Sequence, residues 1–396
     1  MRQPLSMMSK VLADFSASAA TAGFIAVVTG YTSSLALMVQ AGRNAGLDEH
    51  QIGSWVWAIS VAMGLTAIAL TFRYRMPVVV AWSTPGAALL VTSLSGVSYP
   101  EAIGAFVATG LLLTLTGLFR PLAELVRQLP SSIAAALLAG ILFSIGVELF
   151  RAVEDQTGLV LAMLALFFLT RRYRPVLAVP VALLAGCTLA WFNGLVVWPP
   201  IDWTLVRPIW TTPEFSFSAM TSIALPLYVV AMASQNLPGL AVLRADGYEP
   251  PPAPLIATTG LASLIFAPFG SHGVNLAAIS AALCTGPGAH ADTKRRYPAA
   301  LVFGVLAIGV GCFAVALTAV FMALPHALVM SVAGLALLGS IGNGLAQSMG
   351  DHDRREAALV TFMVTASGVS LFSIGSAFWG LVAGLAVLLL ARPPNH

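Results

Sequence analysis

Apolar runs recur along the whole chain, separated by short polar or basic breaks. Fourteen of them are candidate membrane spans. In the first half they lie at about 12–38, 51–71, 76–94, 101–119, 131–149, 157–170 and 175–194. In the second half they lie at about 215–236, 253–267, 269–284, 297–321, 326–347, 355–373 and 375–391. The pattern predicts an all-α polytopic membrane protein. Several runs are shorter than the roughly 20 residues that an upright helix needs to cross a bilayer. Residues 195–214 are less apolar, carry prolines with Asp202 and Arg207, and read as an external loop between the halves.

Composition sharpens this picture. Of 396 residues, 58% are hydrophobic and 9% charged, against about 25% charged in a typical soluble domain. A soluble protein of this length is excluded. Cys187, Cys284 and Cys312 lie singly in apolar segments and form neither a disulfide framework nor a metal-ligand spacing. The first apolar run lacks a small-residue cleavage site and reads as a span rather than a leader.

Charge orients the chain. With fourteen spans and the N-terminus inside, only Arg43, Arg151 and Arg207 fall outside, and the other 16 of the 19 basic residues fall inside. That asymmetry predicts cytoplasmic termini in the bacterial inner membrane. Moving one boundary or dropping one span would spoil it. No extended basic face or nucleic-acid motif accompanies the clusters.

The halves resemble each other. "DFSASA" at 14–19 and "EFSFSA" at 214–219 both open a long apolar run. Seven spans per half would invert the second repeat relative to the first, a 7+7 architecture of secondary transporters. A plainer reading is two helix starts that both use serine as a cap. The third span of each half is also interrupted. "VVVAWSTPGAALL", 78–90, runs from extended backbone through Pro85 into a helix. "FGSHGVNLAAIS", 269–280, interrupts span 10 with polar residues and glycines, and Leu276 to Leu283 are expected to form its half-helix. Spans 3 and 10 are thus expected to hold short extended segments. Broken spans must be enclosed by protein or line a cavity. Opposed half-helix N-termini would offer amides to an anion without any Arg or Lys.

"MASQNLPGLAVLRADGY", 232–248, with "PFGSHGVNLAAISAALCTG", 268–286, resembles the BenE-type benzoate/proton symporter family. "GYTSSLALMVQA", 30–41, and "WSTPGAALL", 82–90, fit it too, and the resemblance covers nearly the whole chain. More distantly the chain is similar to nucleobase–ascorbate and sulfate-type anion transporters. The resemblance implies a core of spans 1–4 and 8–11 (residues 1–125 and 215–322) and a gate of spans 5–7 and 12–14 (126–214 and 323–396). It also implies proton-coupled import of benzoate or a similar aromatic carboxylate. The nucleobase branch commonly has acids in span 8 and at the span-10 helix. Here these neighbourhoods read Ser234-Gln235-Asn236 and Gly273-Val274-Asn275, which favours a monocarboxylate substrate.

Candidate substrate-binding residues follow. Gln235 and Asn236 carry amides beside Pro238 and Gly239, which suggest a break or tight turn. At least one amide is expected to face the substrate, although both would equally serve a broken backbone. Ser83, Thr84 and Gly86 stand on the first half-helix, with Ser271, His272, Gly273 and Asn275 as their counterparts by position. Tyr31, Thr32 and Ser33 approach from span 1, where Tyr31 would stack on a ring or simply pack. His272 is a proton-coupling candidate because imidazole titrates near neutrality, with the alternative that it fixes its loop. Glu148 is the weaker candidate.

No nucleotide motif, metal cluster or nucleophile–base set is present, so neither an enzyme nor a cofactor or metal is expected. The partners expected are the aromatic carboxylate, a proton and membrane lipid; small-residue patches facing outward would permit a homodimer. The rival readings are a nucleobase or inorganic-anion carrier of the same fold and an uncoupled anion channel.

Overall fold

The computed structural model describes residues 11, 13–119, 121, 124, 128–196, 203–372 and 374–390. Its helices in the first half are α1 (Ala17–Asn44), α2 (Glu49–Tyr74), α3 (Thr84–Ser93), α4 (Tyr99–Leu118), α5 (Ser131–Asp155), α6 (Thr157–Tyr173) and α7 (Ala178–Phe192). A helical stretch α8, Phe217–Ala245, opens the second half. It is followed by α9 (Pro252–Phe266), α10 (Ile279–Thr285), α11 (Tyr297–Cys312), α12 (Ala314–Ala323), α13 (His326–Met349), α14 (Arg355–Ala366) and α15 (Ser376–Leu390). Two short strands, β1 (Val80–Trp82) before α3 and β2 (Val274–Leu276) before α10, form the two-stranded sheet. Nine helices among the described residues are long and apolar enough to cross a membrane, so the chain is an all-α polytopic membrane protein.

The helix starts follow from local chemistry. Asp48 with Gln51 and Ser98 with Glu101 form capping boxes at α2 and α4. Ser16 accepts from the Ala19 amide at 3.1 Å, and Ser216 accepts from the Ala219 amide at 3.2 Å. One turn on, Thr21 and Thr221 each donate to the carbonyl four residues back. The matching sequence blocks are therefore matching caps, whatever else they signify.

Within α8 the structure corrects the expected break at Pro238. The helix continues, but Met220–Ala224 and Met232–Asn236 are wide π turns. Each lies just ahead of a proline, Pro226 or Pro238. A proline has no N–H for the carbonyl four residues back, and the ladder shifts locally to five-residue spacing. The Leu237 amide accordingly donates to Met232.

The helices pack in two sets. Among α1–α4 and α8–α12, α9 lies on α4, α11 on α2 and α1, and α3 and α10 on α1. Among α5–α7 and α13–α15, α13 lies on α5, α14 on α15 and α5, and α6 on α7. The sets meet where α1 touches α13 and α7, and where α3 touches α5. Small residues permit close crossings: a Cβ on Gly260 would stand 2.3 Å from the Thr114 amide nitrogen across the α4–α9 contact. The largest fully buried side chains, Trp55, Phe106 and Phe303, belong to the first set.

Both interruptions contain the expected extended segments. The strands pair antiparallel, with Val80 opposite Leu276, Ala81 opposite Asn275 and Trp82 opposite Val274. Lipid offers no partners for such backbone, and neighbouring groups supply them. Val274 N–H donates to Ser263 Oγ at 2.8 Å, Leu276 N–H to Asn236 Oδ1 at 3.0 Å, and Ala277 N–H to the Val79 carbonyl at 3.0 Å. These bonds hold Leu276 in the strand. The second half-helix therefore starts at Ile279 rather than at Leu276.

Candidate substrate site

A cavity of about 460 Å³ lies on the seam between the two helix sets. It is within the size range of small-molecule sites. The first set contributes Tyr31 and Ser34 from α1, Trp82 from β1, Thr84 and Pro85 from α3, Ser234 and Gln235 from α8, and Ala277, Ala278 and Ser280 around the start of α10. The second set contributes Leu138 from α5, Pro175 and Val176 from the α6–α7 connection, Val179 from α7, and Ala336 and Ser340 from α13. No lining residue carries a charged side chain.

The polar groups converge from the broken spans. Thr84 and Ser34 share a hydroxyl–hydroxyl hydrogen bond. The side chain of Gln235, on the π turn, makes no hydrogen bond to any described residue, so its amide is available to a ligand. Ala278 provides no side-chain cap for α10, which leaves the first amides of that half-helix without one. At the other end Arg296, 6% exposed, donates to the carbonyls of Thr285, His290 and Ala291 and holds α10 in place. The rings of Tyr31 and Trp82 meet edge-on with centroids 4.7 Å apart. Tyr31 Oη donates to Ser60 Oγ at 2.6 Å, which fixes the phenol.

Of the residues singled out by sequence, Tyr31, Thr84 and Gln235 line this cavity. The others do not. Thr32 donates back to the Val28 carbonyl, and the side chain of Ser33 lies outside the described residues. Ser83 is the N-cap of α3, accepting from Gly86 N–H at 2.9 Å. Gly86 faces α8, where a Cβ would stand 2.7 Å from Leu227 Cδ1. Asn236 is fully buried and clamps β2, donating through Nδ2 to Asn275 Oδ1 at 3.1 Å while accepting from Leu276. Asn275 is thereby occupied. Gly273 (φ +124°) is a turn residue, and Ser271 is fully buried.

The expected positional match of Ser271–Gly273 with Ser83–Gly86 does not hold. The former precede their strand and the latter follow theirs, so Ala277, Ala278 and Ser280 occupy the matching place. His272 is packed between Trp55 and Phe106. Its Nδ1 accepts from Trp55 Nε1 at 3.0 Å, and its Nε2 makes no well-aligned hydrogen bond among the described residues, with the Ser83 carbonyl nearby. Glu148 is partly exposed and paired with Arg151 at 2.7 Å. Sequence reasoning missed Ser34, Trp82, Ser280 and Ser340. Trp82 was legible as an aromatic residue two positions before the half-helix; Ser340, on an unbroken helix, carried no local signal.

A second cleft of about 360 Å³ lies farther along the same seam. Thr92, Ser93, Ser144, Ser218, Ser222 and Ser376 line it. Here Gly375 N–H donates to Ser222 Oγ at 3.0 Å across the two helix sets. The α3–α5 contact separates the two spaces.

The family profile described as "Benzoate membrane transport protein" matches residues 13–390. The chain is 46% identical to the "Inner membrane protein YdcO" of Escherichia coli (strain K12), over 92% of this chain and 93% of that one. It is 38% identical to a "Benzoate membrane transport protein" of Acinetobacter baylyi, over 96% and 97%. Its fold is similar to the transmembrane domain of the cyanobacterial bicarbonate transporter BicA, with TM-score 0.59 and 14% identity over 95% and 96% of the two chains. It is also similar to the murine anion transporter Slc26a9 in an inward-facing state, with TM-score 0.62 and 13% identity over 98% and 72%.

Proposed function

The chain belongs to the BenE family of benzoate membrane transport proteins, and from that membership we propose that it imports benzoate or a similar aromatic carboxylate together with a proton, by alternating access. It is a multi-pass secondary transporter of the bacterial inner membrane rather than an enzyme. The observation that carries the substrate reading is the uncharged cavity at the ends of two broken spans. Its aromatic wall (Tyr31, Trp82) suits a ring, and its Gln235 amide, Thr84 hydroxyl and α10 amides suit one carboxylate. An acid in that wall would repel such a substrate. The nucleobase and inorganic-anion readings are not favoured, because the family profile and the Acinetobacter baylyi relative are named for benzoate.

The finer architecture belongs to the same proposal. Fourteen spans result when each strand and its half-helix count as one span and α11 with α12 as another. The shared Ser16 and Ser216 caps and the antiparallel strand pair support a 7+7 inverted repeat. The two packing sets support a core of 1–125 and 215–322 moving against a gate of 126–214 and 323–396. Basic-residue asymmetry supports both termini and the α6–α7 connection being cytoplasmic. On that orientation the cavity of about 460 Å³ faces inward, and the hydroxyl-lined cleft is the outer approach, bridged by the Gly375–Ser222 hydrogen bond. External labelling of a cysteine introduced beside Arg172 or Arg295 is expected to fail in whole cells; labelling there would overturn the topology.

One proton crossing with one carboxylate carries no net charge, so the pH and substrate gradients would drive transport while the membrane potential would not. Purified protein in liposomes is expected to take up labelled benzoate saturably, faster under an inward proton gradient. Unlabelled benzoate should compete far better than uracil or sulfate. Equal competition by sulfate or uracil would remove the substrate assignment, and non-saturable flow without countertransport would indicate a channel.

A further inference from the structure

The substrate cavity is uncharged, but a cation, Arg171, reaches α13 one residue from the lining Ser340. Arg171 lies in the last turn of α6, four residues before Pro175, which lines the cavity with Val176 and Val179. The Arg171 guanidinium lies over the Phe167 ring, 5.7 Å from its centroid. One of its terminal nitrogens is 3.8 Å from where a Cβ would project from Gly339. Gly339 neighbours Ser340, and both Ser340 and Ala336 line the cavity from α13. Among the described residues no carboxylate pairs with Arg171. The guanidinium thus lies over an aromatic face, within van der Waals reach of Gly339 on α13, with no carboxylate among the described residues taking its donors.

Topology alone would ask only for positive charge in this connection. Arg172 supplies that while lying over Tyr173, and Arg174 supplies it from the residue before Pro175, whereas Arg171 alone of the three is seen to reach α13 beside the lining Ser340. We infer that Arg171 is the carboxylate-receiving group at the inner mouth, the first charged donor that the substrate meets as it leaves the half-helix amides. This rests on the transport reading above and names a residue and a step within it. A forked guanidinium suits a carboxylate, and the lack of any other charge along the cavity leaves Arg171 to select the anion over a neutral ring of the same size.

The test uses right-side-out and inside-out membrane vesicles containing the full chain. In Arg171→Gln, half-saturation by benzoate at the cytoplasmic face is expected to rise about fivefold, the scale of a solvent-exposed ion pair. Half-saturation at the outer face should be unchanged. Competition at the inner face by benzamide, the neutral analogue, should be unaffected, and the salt dependence of benzoate binding there should flatten. Arg171→Lys should restore part of the loss, and Arg174→Gln should behave as the unmodified protein. An unchanged inner half-saturation, an equal shift at both faces, or an equal effect of Arg174→Gln would overturn the inference. A parent protein that does not transport benzoate would instead overturn the transport reading.

Discussion

Replacing Gln235 by alanine is expected to weaken benzoate binding about 10- to 100-fold, the range for losing one hydrogen bond to a charged group, while thermal stability stays near that of the parent. The adjacent change, Asn236→Ala, is expected to do the reverse. Gln235 lines the cavity with its amide unspent. Asn236 is 0% exposed and spends its amide on Asn275 and on the Leu276 N–H. Removing it orphans two buried groups at about 1–3 kcal/mol each, in a setting where lipid cannot replace them. Against a total stability on the order of 5–15 kcal/mol, that loss is large. Thermal unfolding in detergent and direct benzoate binding separate the two variants. Parent-like binding in Gln235→Ala would remove this residue from the site. A stable Asn236→Ala that no longer binds would exchange the two roles.

The second large effect concerns coupling. His272→Gln is expected to keep benzoate binding and exchange at equal pH on both sides, but to lose most uptake driven by an inward pH gradient. In the structure Nδ1 accepts from Trp55 Nε1 at 3.0 Å, which requires that nitrogen to be unprotonated. Protonating it would break the bond that ties α2 to the turn before β2. Proton uptake at His272 would thereby loosen one broken span, and that is how a residue outside the cavity wall would act on transport. Glutamine can still accept from Trp55 but cannot titrate. Liposome uptake and exchange compared at several pH values test this. Normal proton-driven accumulation would eliminate His272. Loss of both processes would mean that the ring only shapes the turn, and Glu148→Gln would then face the same comparison.

The sequence by itself determined the apolar segments, the two interruptions and the serine caps that open α1 and α8. Each depends on residues within a few positions of one another. Mean polarity decides what lipid accepts, Pro85 and the glycines decide where helix stops, and a serine three residues ahead satisfies an orphan amide. The tertiary structure alone decided which polar side chains reach the cavity. Gln235 and Asn236 are neighbours with the same chemistry, yet consecutive helical residues point about 100° apart, and the π turn before Pro238 shifts the phase again. One amide faces the seam and the other faces β2. The start of α10 was likewise beyond local reading. Leu276 is held in a strand by Asn236, forty residues earlier, and by the strand pairing to Val80. Ser340 joins the cavity only because α13 packs across the seam. Register and facing in the broken spans are set by hydrogen bonds between distant segments, because backbone enclosed in a membrane must find every partner within the protein.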